Sequence, residues 1–250
     1  MKLSFFLGDF VKSILVKKAN QNNLLNFSKK TLLVIMCLCL SFAVWATDYT
    51  WTGGGVEGKW DDPNNWDGSG FPSTDDNAVI SQNVTITEPE TGIDLQKITI
   101  VENFSLTLGA NIKMNVVELI VNTGSSLTIS SGATLYVNWL SSYGTTINDG
   151  SIEKHPTVGN NKIVVGNGSF INNGTVNQKE FEVTGNASVT NNSKLTIDSN
   201  ITIGNGASLS NSETGSVISR GTITNSGTVT NTGGTILVPL QGTKSMVVVS

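Results

Sequence analysis

Thiol groups are missing from most of this sequence. Its two cysteines, Cys37 and Cys39, both lie in one hydrophobic run near the N-terminus, and no cysteine follows Ala46. Disulfide bonds and cysteine-ligated zinc are therefore excluded from residues 47–250. We expect packing and hydrogen bonds alone to stabilise the fold of this part of the chain.

Positive charge is also scarce after residue 46. The chain has 15 basic and 19 acidic residues, and six of the lysines and one of the aspartates lie in residues 1–46. Residues 47–250 therefore carry nine basic and 18 acidic side chains, a net charge of −9. Because a protein that binds nucleic acid needs a basic face for the phosphates, we do not expect nucleic acid as a partner.

Imidazole groups are limited to one histidine, His155. A catalytic triad would need His155 beside an activated serine with a carboxylate behind it, and no nucleophile-elbow motif supplies that serine. Because Pro156 follows, we interpret His155 as a loop residue with local hydrogen bonds.

Carboxylate pairs give a second possible route to catalysis. Glu180 and Glu182 are alternate residues of a predicted strand, so they point the same way about 6.6 Å apart. That spacing is near the separation of glycosidase carboxylates, but such pairs are common on solvated strands. We predict no catalytic residue, no metal site and no cofactor, and the chain is more typical of a non-enzyme.

Residues 1–46 have the pattern of an export signal. Lys29 and Lys30 precede the apolar run from Thr31 to Ala46, which is shorter than the about 20 residues that a spanning helix needs. This pattern predicts a signal peptide cleaved between Ala46 and Thr47. The protein would contact a membrane only through this segment before cleavage, and would then be secreted, extracellular or on the outer cell surface.

Short phrases of alternating apolar residues and threonine recur from about Ile93. Examples are Ser105-Leu-Thr-Leu108, Ser126-Leu-Thr-Ile129 and Lys194-Leu-Thr-Ile197. Alternation of this kind predicts strands with one buried face. Gly-Asn, Asn-Gly and Ser-Gly pairs between the phrases predict tight turns.

The spacing of the phrases predicts a repeating turn of the chain. One apolar residue per phrase recurs every six to eight residues, and every third member of the series recurs after 18 to 22 residues. Three short strands therefore form one unit of about 20 residues, the size of a stacked β-helix coil. The three predicted columns are Val176, Leu195, Val217 and Ile236; Val183, Ile201 and Ile223; and Val189, Leu209 and Val229.

We therefore predict an all-β fold, a single-stranded right-handed parallel β-helix over residues 93–240, with a tail or end strand at 241–250. A β-sandwich expects turn signals every 8 to 12 residues, and the six- to eight-residue spacing here is too short for it. A left-handed hexapeptide helix would keep a strict six-residue step, which the interval from Leu209 to Val217 breaks. Asn172, Asn191 and Asn211, spaced 19 and 20 residues apart, would then stack into a ladder of side-chain amides.

Residues 47–92 differ in composition from the repeats and are predicted to form an N-terminal cap. They contain Tyr49-Thr-Trp-Thr-Gly-Gly-Gly55, Gly58-Lys-Trp-Asp-Asp-Pro-Asn-Asn-Trp66, Gly70-Phe-Pro72 and Asp75-Asp-Asn-Ala-Val-Ile80. This order resembles the opening of many secreted bacterial β-helix proteins, including adhesin-like and autotransporter passenger-like chains of Gram-negative bacteria. The resemblance implies architecture and surface location, and says little about activity.

Three tryptophans in this segment have two possible roles. Trp51, Trp60 and Trp66 would cover the open apolar end of the first coil, since a terminal repeat must be capped. Alternatively, their rings would form a platform for stacking sugars. Capping explains the same residues without a ligand.

Acidic and amide side chains surround these tryptophans. Asp61, Asp62, Asn64, Asn65 and Asp67 could supply oxygen ligands for calcium, but their spacing does not match the EF-hand loop. We expect them to form side-chain-to-backbone turns instead.

Outward threonines raise the possibility of ice binding. An ice-binding face would need Thr-x-Thr once per coil on the same side. Thr222-Ile-Thr224 and Thr228-Val-Thr230 are six residues apart and should fall on adjacent sides. The preference of threonine for strands explains these residues without ice binding. The same holds for the other outward threonines, which are Thr99, Thr107, Thr128, Thr196 and Thr202.

The sequence thus favours a secreted or cell-surface structural and interaction protein, adhesin-like, that contacts its partners across an extended polar face. Surface glycans and host or matrix proteins are the expected partners, and the oligomeric state is left open. The alternative is a carbohydrate-binding or polysaccharide-degrading β-helix protein, which a groove with convergent carboxylates and exposed aromatic rings would favour.

Overall fold

The computed structural model describes residues 46–89 and 92–239 and the backbone of Met246–Val248. The predicted signal segment lies outside the described residues, except for Ala46 at its end. The predicted tail at 241–250 is described only for the backbone of Met246–Val248.

The described chain is almost entirely β-strand, with one short 3-10 helix at Pro63–Asn65. The strands are β1 (Asp48–Thr50), β2 (Asn77–Ile80), β3 (Val84–Ile86), β4 (Ile93–Ile100), β5 (Ser105–Leu108), β6 (Lys113–Val121), β7 (Ser126–Ile129), β8 (Thr134–Ser142), β9 (Thr145–Asn148), β10 (Ser151–Lys154), β11 (Lys162–Gly166), β12 (Ser169–Asn172), β13 (Thr175–Gln178), β14 (Glu180–Thr184), β15 (Ser188–Asn191), β16 (Lys194–Ile197), β17 (Ile201–Ile203), β18 (Ser208–Asn211), β19 (Ser216–Ser219), β20 (Ile223–Asn225), β21 (Thr228–Asn231), β22 (Thr235–Pro239) and β23 (Met246–Val248).

Strands β1 to β22 stack in parallel as a β-solenoid with three faces, and β23 pairs antiparallel with β22 at its C-terminal end. Face A contains the first halves of β4, β6 and β8, followed by β10, β13, β16, β19 and β22. Face B contains β1, β2, the second halves of β4, β6 and β8, and then β11, β14, β17 and β20. Face C contains the eight strands β3, β5, β7, β9, β12, β15, β18 and β21. The all-β parallel solenoid predicted from the spacing is confirmed, whereas its right-handed sense stays a prediction.

Two of the three predicted apolar columns are correct. Val176 pairs with Leu195, which pairs with Val217, and the column continues to Ile236. Val189, Leu209 and Val229 lie in register on face C. Each of these columns points into the solenoid and supplies one row of its core.

The third predicted column contains one wrong residue, because the partner of Ile201 is Phe181 and not Val183. Ile223 does pair with Ile201, but Ile201 pairs with Phe181, and Val183 pairs with Ile203. One residue separates β13 from β14, whereas three residues separate β16 from β17. The longer turn shifts the inward positions of β17 relative to the spacing counted from the sequence.

The core is a continuous column of inward-facing aliphatic side chains. Alternation places every second strand residue inside, where Val, Ile and Leu side chains are almost fully buried. Each contributes about 1.5–3 kcal/mol relative to an exposed position. Two rings add to this column, because Phe170 and Phe181 meet edge-to-face with centroids 5.5 Å apart.

The aromatic segment packs onto the first turn of the stack. β1 pairs with β2, and β2 pairs in turn with β4. Strands β2 and β3, which lie inside the predicted capping segment of residues 47–92, already belong to faces B and C. The cluster of Tyr49, Trp51, Trp60 and Trp66 therefore sits at the N-terminal end of a stack that begins near Asn77.

Candidate functional site

The single histidine lies in a loop, as predicted. Residues 155–161 connect β10 to β11, and the Nδ1 atom of His155 is 3.4 Å from the amide nitrogen of Thr157, which donates to it. Burial lowers the pKa of His155, while the charge of Asp94 opposes this shift. The loop is anchored by Asn138, whose Oδ1 accepts from the amides of Asn160 and Asn161.

A cleft of about 400 Å³ lies beside this loop. His155, Asp75, Asp94 and Gln96 supply polar groups to its walls. Within the described residues, no serine hydroxyl is bonded to His155. The hydroxyl that reaches His155 is that of Thr157, whose Oγ1 lies 3.3 Å from Nδ1.

The outward side of face B carries ion pairs between turns. Lys162 contacts Glu182 at 2.5 Å and Glu180 at 4.0 Å, so one ammonium lies between the two carboxylates that could resemble a glycosidase pair. The same ammonium lies 5.5 Å from the centroid of the Trp139 ring. These carboxylates bind a neighbouring turn of the protein.

The outward side of face A is bonded to itself in the same way. Glu153 accepts from Asn177 at 2.9 Å and from Ser151 at 2.8 Å. Asp198 forms ion pairs with Lys154 and with Arg220. Several charged and amide side chains of faces A and B are thus paired across turns, while outward threonines of the same faces, such as Thr99 and Thr196, have no side-chain hydrogen bond within the described residues.

The outward side of face C is different, and we call it the serine-threonine face. It consists of two columns of side chains that point away from the core. The first column is Ser105, Ser126, Thr145, Ser169, Ser188, Ser208 and Thr228, and the second is Thr85, Thr107, Thr128, Ile147, Ile171, Thr190, Ser210 and Thr230. Thirteen of these fifteen positions carry a hydroxyl, two carry isoleucine and none carries a charge.

The hydroxyls of this face are available to the solvent. Ser105 donates to Asn83, but the other twelve hydroxyls have no hydrogen-bond partner within the described chain. All seven strand pairings of face C run in parallel without a skipped residue. The face is therefore a regular array of unpaired hydroxyl and methyl groups.

A ladder of asparagines lies directly beneath this face. The predicted residues Asn172, Asn191 and Asn211 are buried, and their amides bond in series at 2.8 and 2.7 Å. The ladder extends further than the sequence argument proposed, from Asn148 at one end to Asn231 at the other. It fixes the ends of five successive strands of face C relative to one another.

Comparisons with family models, with curated proteins and with solved structures found no match. The resemblance to adhesin-like secreted proteins therefore stays a prediction. In the described part of the chain, no helix is long and apolar enough to cross a membrane. The same residues contain no cluster of three or more His, Cys, Asp or Glu side chains suited to a metal ion.

The predicted tryptophans form a buried cluster. The centroid of Trp66 lies 5.1 Å from that of Trp51 and 4.7 Å from that of Trp60, and all three side chains are buried. The indole nitrogen of Trp66 donates to the carbonyl of Trp60 at 2.8 Å. Buried rings offer no open surface to a sugar, so this geometry favours capping over a stacking platform.

The acidic residues around the cluster bind backbone amides. Asp62 accepts from the amides of Val56 and Asn64, which hold the pKa of its carboxyl below the usual value. Asp67 accepts from the amide of Thr50 at 2.7 Å, which lowers its pKa in the same way. The bond from Asn64 to Asp62 forms a local turn, as expected from the sequence, whereas Asp67 connects to β1, 17 residues away.

One group of outward residues was missed by the sequence analysis. Strand β8 and the residue after it place Tyr136, Trp139 and Tyr143 on the surface of a single turn, and Tyr143 is 42% exposed. The sequence does indicate that these rings face outward, because they alternate with the inward residues Leu135, Val137 and Leu140. This stretch lacks the Leu-Thr phrase from which the other strands were predicted.

Proposed function

We propose that this protein is a secreted or cell-surface interaction protein, adhesin-like, whose contact surface is the serine-threonine face. The observation that supports this choice is the contrast between the three faces. Faces A and B carry lysine, glutamate and aspartate side chains, several of them paired between turns, whereas face C carries hydroxyls, two isoleucines and no charge. A free, repeated and uncharged surface is suited to contact with an external partner.

Binding on this face would use many weak contacts. Each hydroxyl both donates and accepts hydrogen bonds, so it fits a wide range of polar partners. The stacked strands hold the hydroxyls in place before the partner arrives, which lowers the entropy lost on binding. Surface glycans and host or matrix proteins are the proposed partners.

Export is part of this proposal. Thr47 would become the N-terminus after cleavage of the signal peptide, and its nitrogen lies 3.1 Å from the Asp76 carboxylate. Cleavage would convert this amide into an ammonium group beside an acid, which is a favourable contact. The position of Asp76 thus supports cleavage before Thr47.

The test is binding of the purified protein to a glycan array and to immobilised collagen and fibronectin. Thr107→Lys combined with Thr190→Lys places two long charged side chains on the serine-threonine face. Thr99→Lys combined with Thr202→Lys is the matched control, because these threonines point outward from face B. We expect loss of binding only in the first variant, and equal binding by both variants would contradict the proposal.

Carbohydrate binding or degradation at the aromatic turn is the second candidate. Tyr136, Trp139 and Tyr143 provide outward rings on one turn, and such rings are suited to stacking against sugars. Trp139→Ala would then abolish glycan binding while the lysine variants of face C retain it. Release of reducing sugars by the unmodified protein would favour the degrading form of this candidate.

A further inference from the structure

We infer that the ligand of the serine-threonine face is ice. This inference rests on the proposal that this face is the contact surface, and it names the partner. Residues of one column recur about every 4.8 Å along the stack, and the two columns of a strand are about 6.6 Å apart. Both repeats are close to distances between equivalent oxygen atoms on the faces of an ice crystal.

The extent of the array matches a periodic ligand. Eight strands at this spacing extend over about 34 Å, which is far longer than a monosaccharide or a single side chain. Each contact with a lattice water contributes little, so binding needs many contacts made at once. A crystal surface is a partner whose own repeat continues for the whole length of the face.

The chemistry of the face also fits frozen water. Ice is uncharged and offers both donors and acceptors at fixed positions, and a hydroxyl can use both kinds. Threonine methyls, together with Ile147 and Ile171, leave the bound water few alternative arrangements between the hydroxyls. Charged side chains, which would bind water in a different geometry, are placed on faces A and B.

The structure corrects the sequence argument against ice binding. Thr222-Ile-Thr224 and Thr228-Val-Thr230 do lie on adjacent faces, since β20 belongs to face B and β21 to face C. However, five of the turns carry a hydroxyl pair on face C itself. The pairs are Ser105 and Thr107, Ser126 and Thr128, Ser188 and Thr190, Ser208 and Ser210, and Thr228 and Thr230, with Asn83 and Thr85 as the polar pair of the first turn.

The position of the hydroxyls is fixed from below. The asparagine ladder bonds the ends of β9, β12, β15, β18 and β21 to one another. Side-chain ladders of this kind are among the features that keep large parallel stacks regular. An array that must match a lattice over several repeats needs such a rigid base.

The experiment uses the protein produced from the complete chain. Thermal hysteresis and inhibition of ice recrystallisation are measured by microscopy, and binding of the labelled protein to a single ice crystal is imaged. We expect hysteresis, shaped crystals and labelled ice planes with the unmodified protein. The double variant Thr107→Lys with Thr190→Lys should lose all three effects, whereas the control Thr99→Lys with Thr202→Lys should keep them. Equal circular dichroism spectra would show that both variants are folded.

The outcomes separate this inference from the proposed function. Absence of hysteresis and of bound label in the unmodified protein overturns ice as the ligand. If glycan or matrix binding is then found and is lost only in the face C variant, the face remains a contact surface with another partner. If the face B control loses ice activity equally, the serine-threonine face is not where ice binds.

Discussion

Asn191 shows how one side chain connects three turns of the solenoid. Its Oδ1 accepts from Asn172 at 2.8 Å, and its Nδ2 donates to Asn211 at 2.7 Å. The 19- and 20-residue spacing made these three asparagines predictable. Asn148 was not predicted, because residues 155–161 lengthen its turn and place it 24 residues before Asn172. An inserted loop changes the number of residues in one turn, but the strands on either side of it still stack in register.

Asn191→Ala should lower the free energy of unfolding by about 1–3 kcal/mol, because it leaves the buried Oδ1 of Asn211 without this donor. Asn192→Ala is the control, since its side-chain amide bonds Asn173 on the surface. We expect a change within about 0.5 kcal/mol for that variant. Thermal unfolding followed by circular dichroism measures both, and equal effects would argue against a structural role for the ladder.

Asp76 gives the N-terminal cluster a dependence on pH. Partial burial raises the pKa of Asp76, but the hydrogen bonds from Ser73 and Thr47 outweigh this effect and hold the pKa below its ordinary value of 3.8. Hydrogen bonds lower the pKa values of Asp62 and Asp67 as well. A lowered pKa in the folded state contributes stability above pH 3.8, and this contribution is lost as the pH falls through the folded-state value.

We therefore expect the cap to loosen below about pH 3.8. Emission of the buried tryptophans should shift to longer wavelength there, before the β-sheet signal is lost. Asp76→Asn should already show part of this shift at neutral pH. Asp75→Asn should not, because the Asp75 side chain forms no hydrogen bond within the described residues. Emission that changes only together with the β-sheet signal would contradict this.

The turns between strands set the geometry of the elements. Gly174 stands at the corner from face C to face A, directly against the Gly150 carbonyl of the preceding turn. The sequence correctly located turns by their Gly, Asn and Ser residues. It did not reveal that β4, β6 and β8 continue across the corner from face A to face B. Gln96 and Val117 carry no turn signal, and Asn138 stands alone between Val137 and Trp139.

Gly174→Ala should lower stability by about 1–3 kcal/mol, because the new methyl group would overlap the Gly150 carbonyl oxygen. Gly159→Ala is the matched control, since no atom lies within 4 Å of its added methyl group. We expect that variant to match or slightly exceed the unmodified protein in melting temperature. A similar loss in both variants would show that close approach is not the cause.

At the scale of the whole molecule, the repeat was easier to predict than the roles of its faces. The column from Val176 to Ile236 followed from spacing alone. The serine-threonine face did not, because similar phrases occur at Lys194–Ile197 on face A, at Ile201–Ile203 on face B and at Ser126–Ile129 on face C. Assigning a phrase to a face requires the length of every intervening turn, which the fold alone determines.

The proposed signal peptide predicts a mature protein that begins at Thr47. Ala46→Phe should block cleavage, because the signal peptidase needs a small residue at that position. Ala43→Phe changes the hydrophobic run without touching the cleavage position and should be processed normally. Intact mass of the protein in the medium measures both. A product of the unmodified chain that keeps residues 1–46 would refute the signal peptide.

The in-register pairing of face C has an evolutionary consequence. Strand pairing joins each turn to its two neighbours, and β12, β15 and β18 present equivalent residues at equivalent places. Recombination that removed or duplicated one lap of about 20 residues would join ends that already fit. Selection could thus lengthen or shorten the molecule one row of hydroxyls at a time without inventing a new contact between turns.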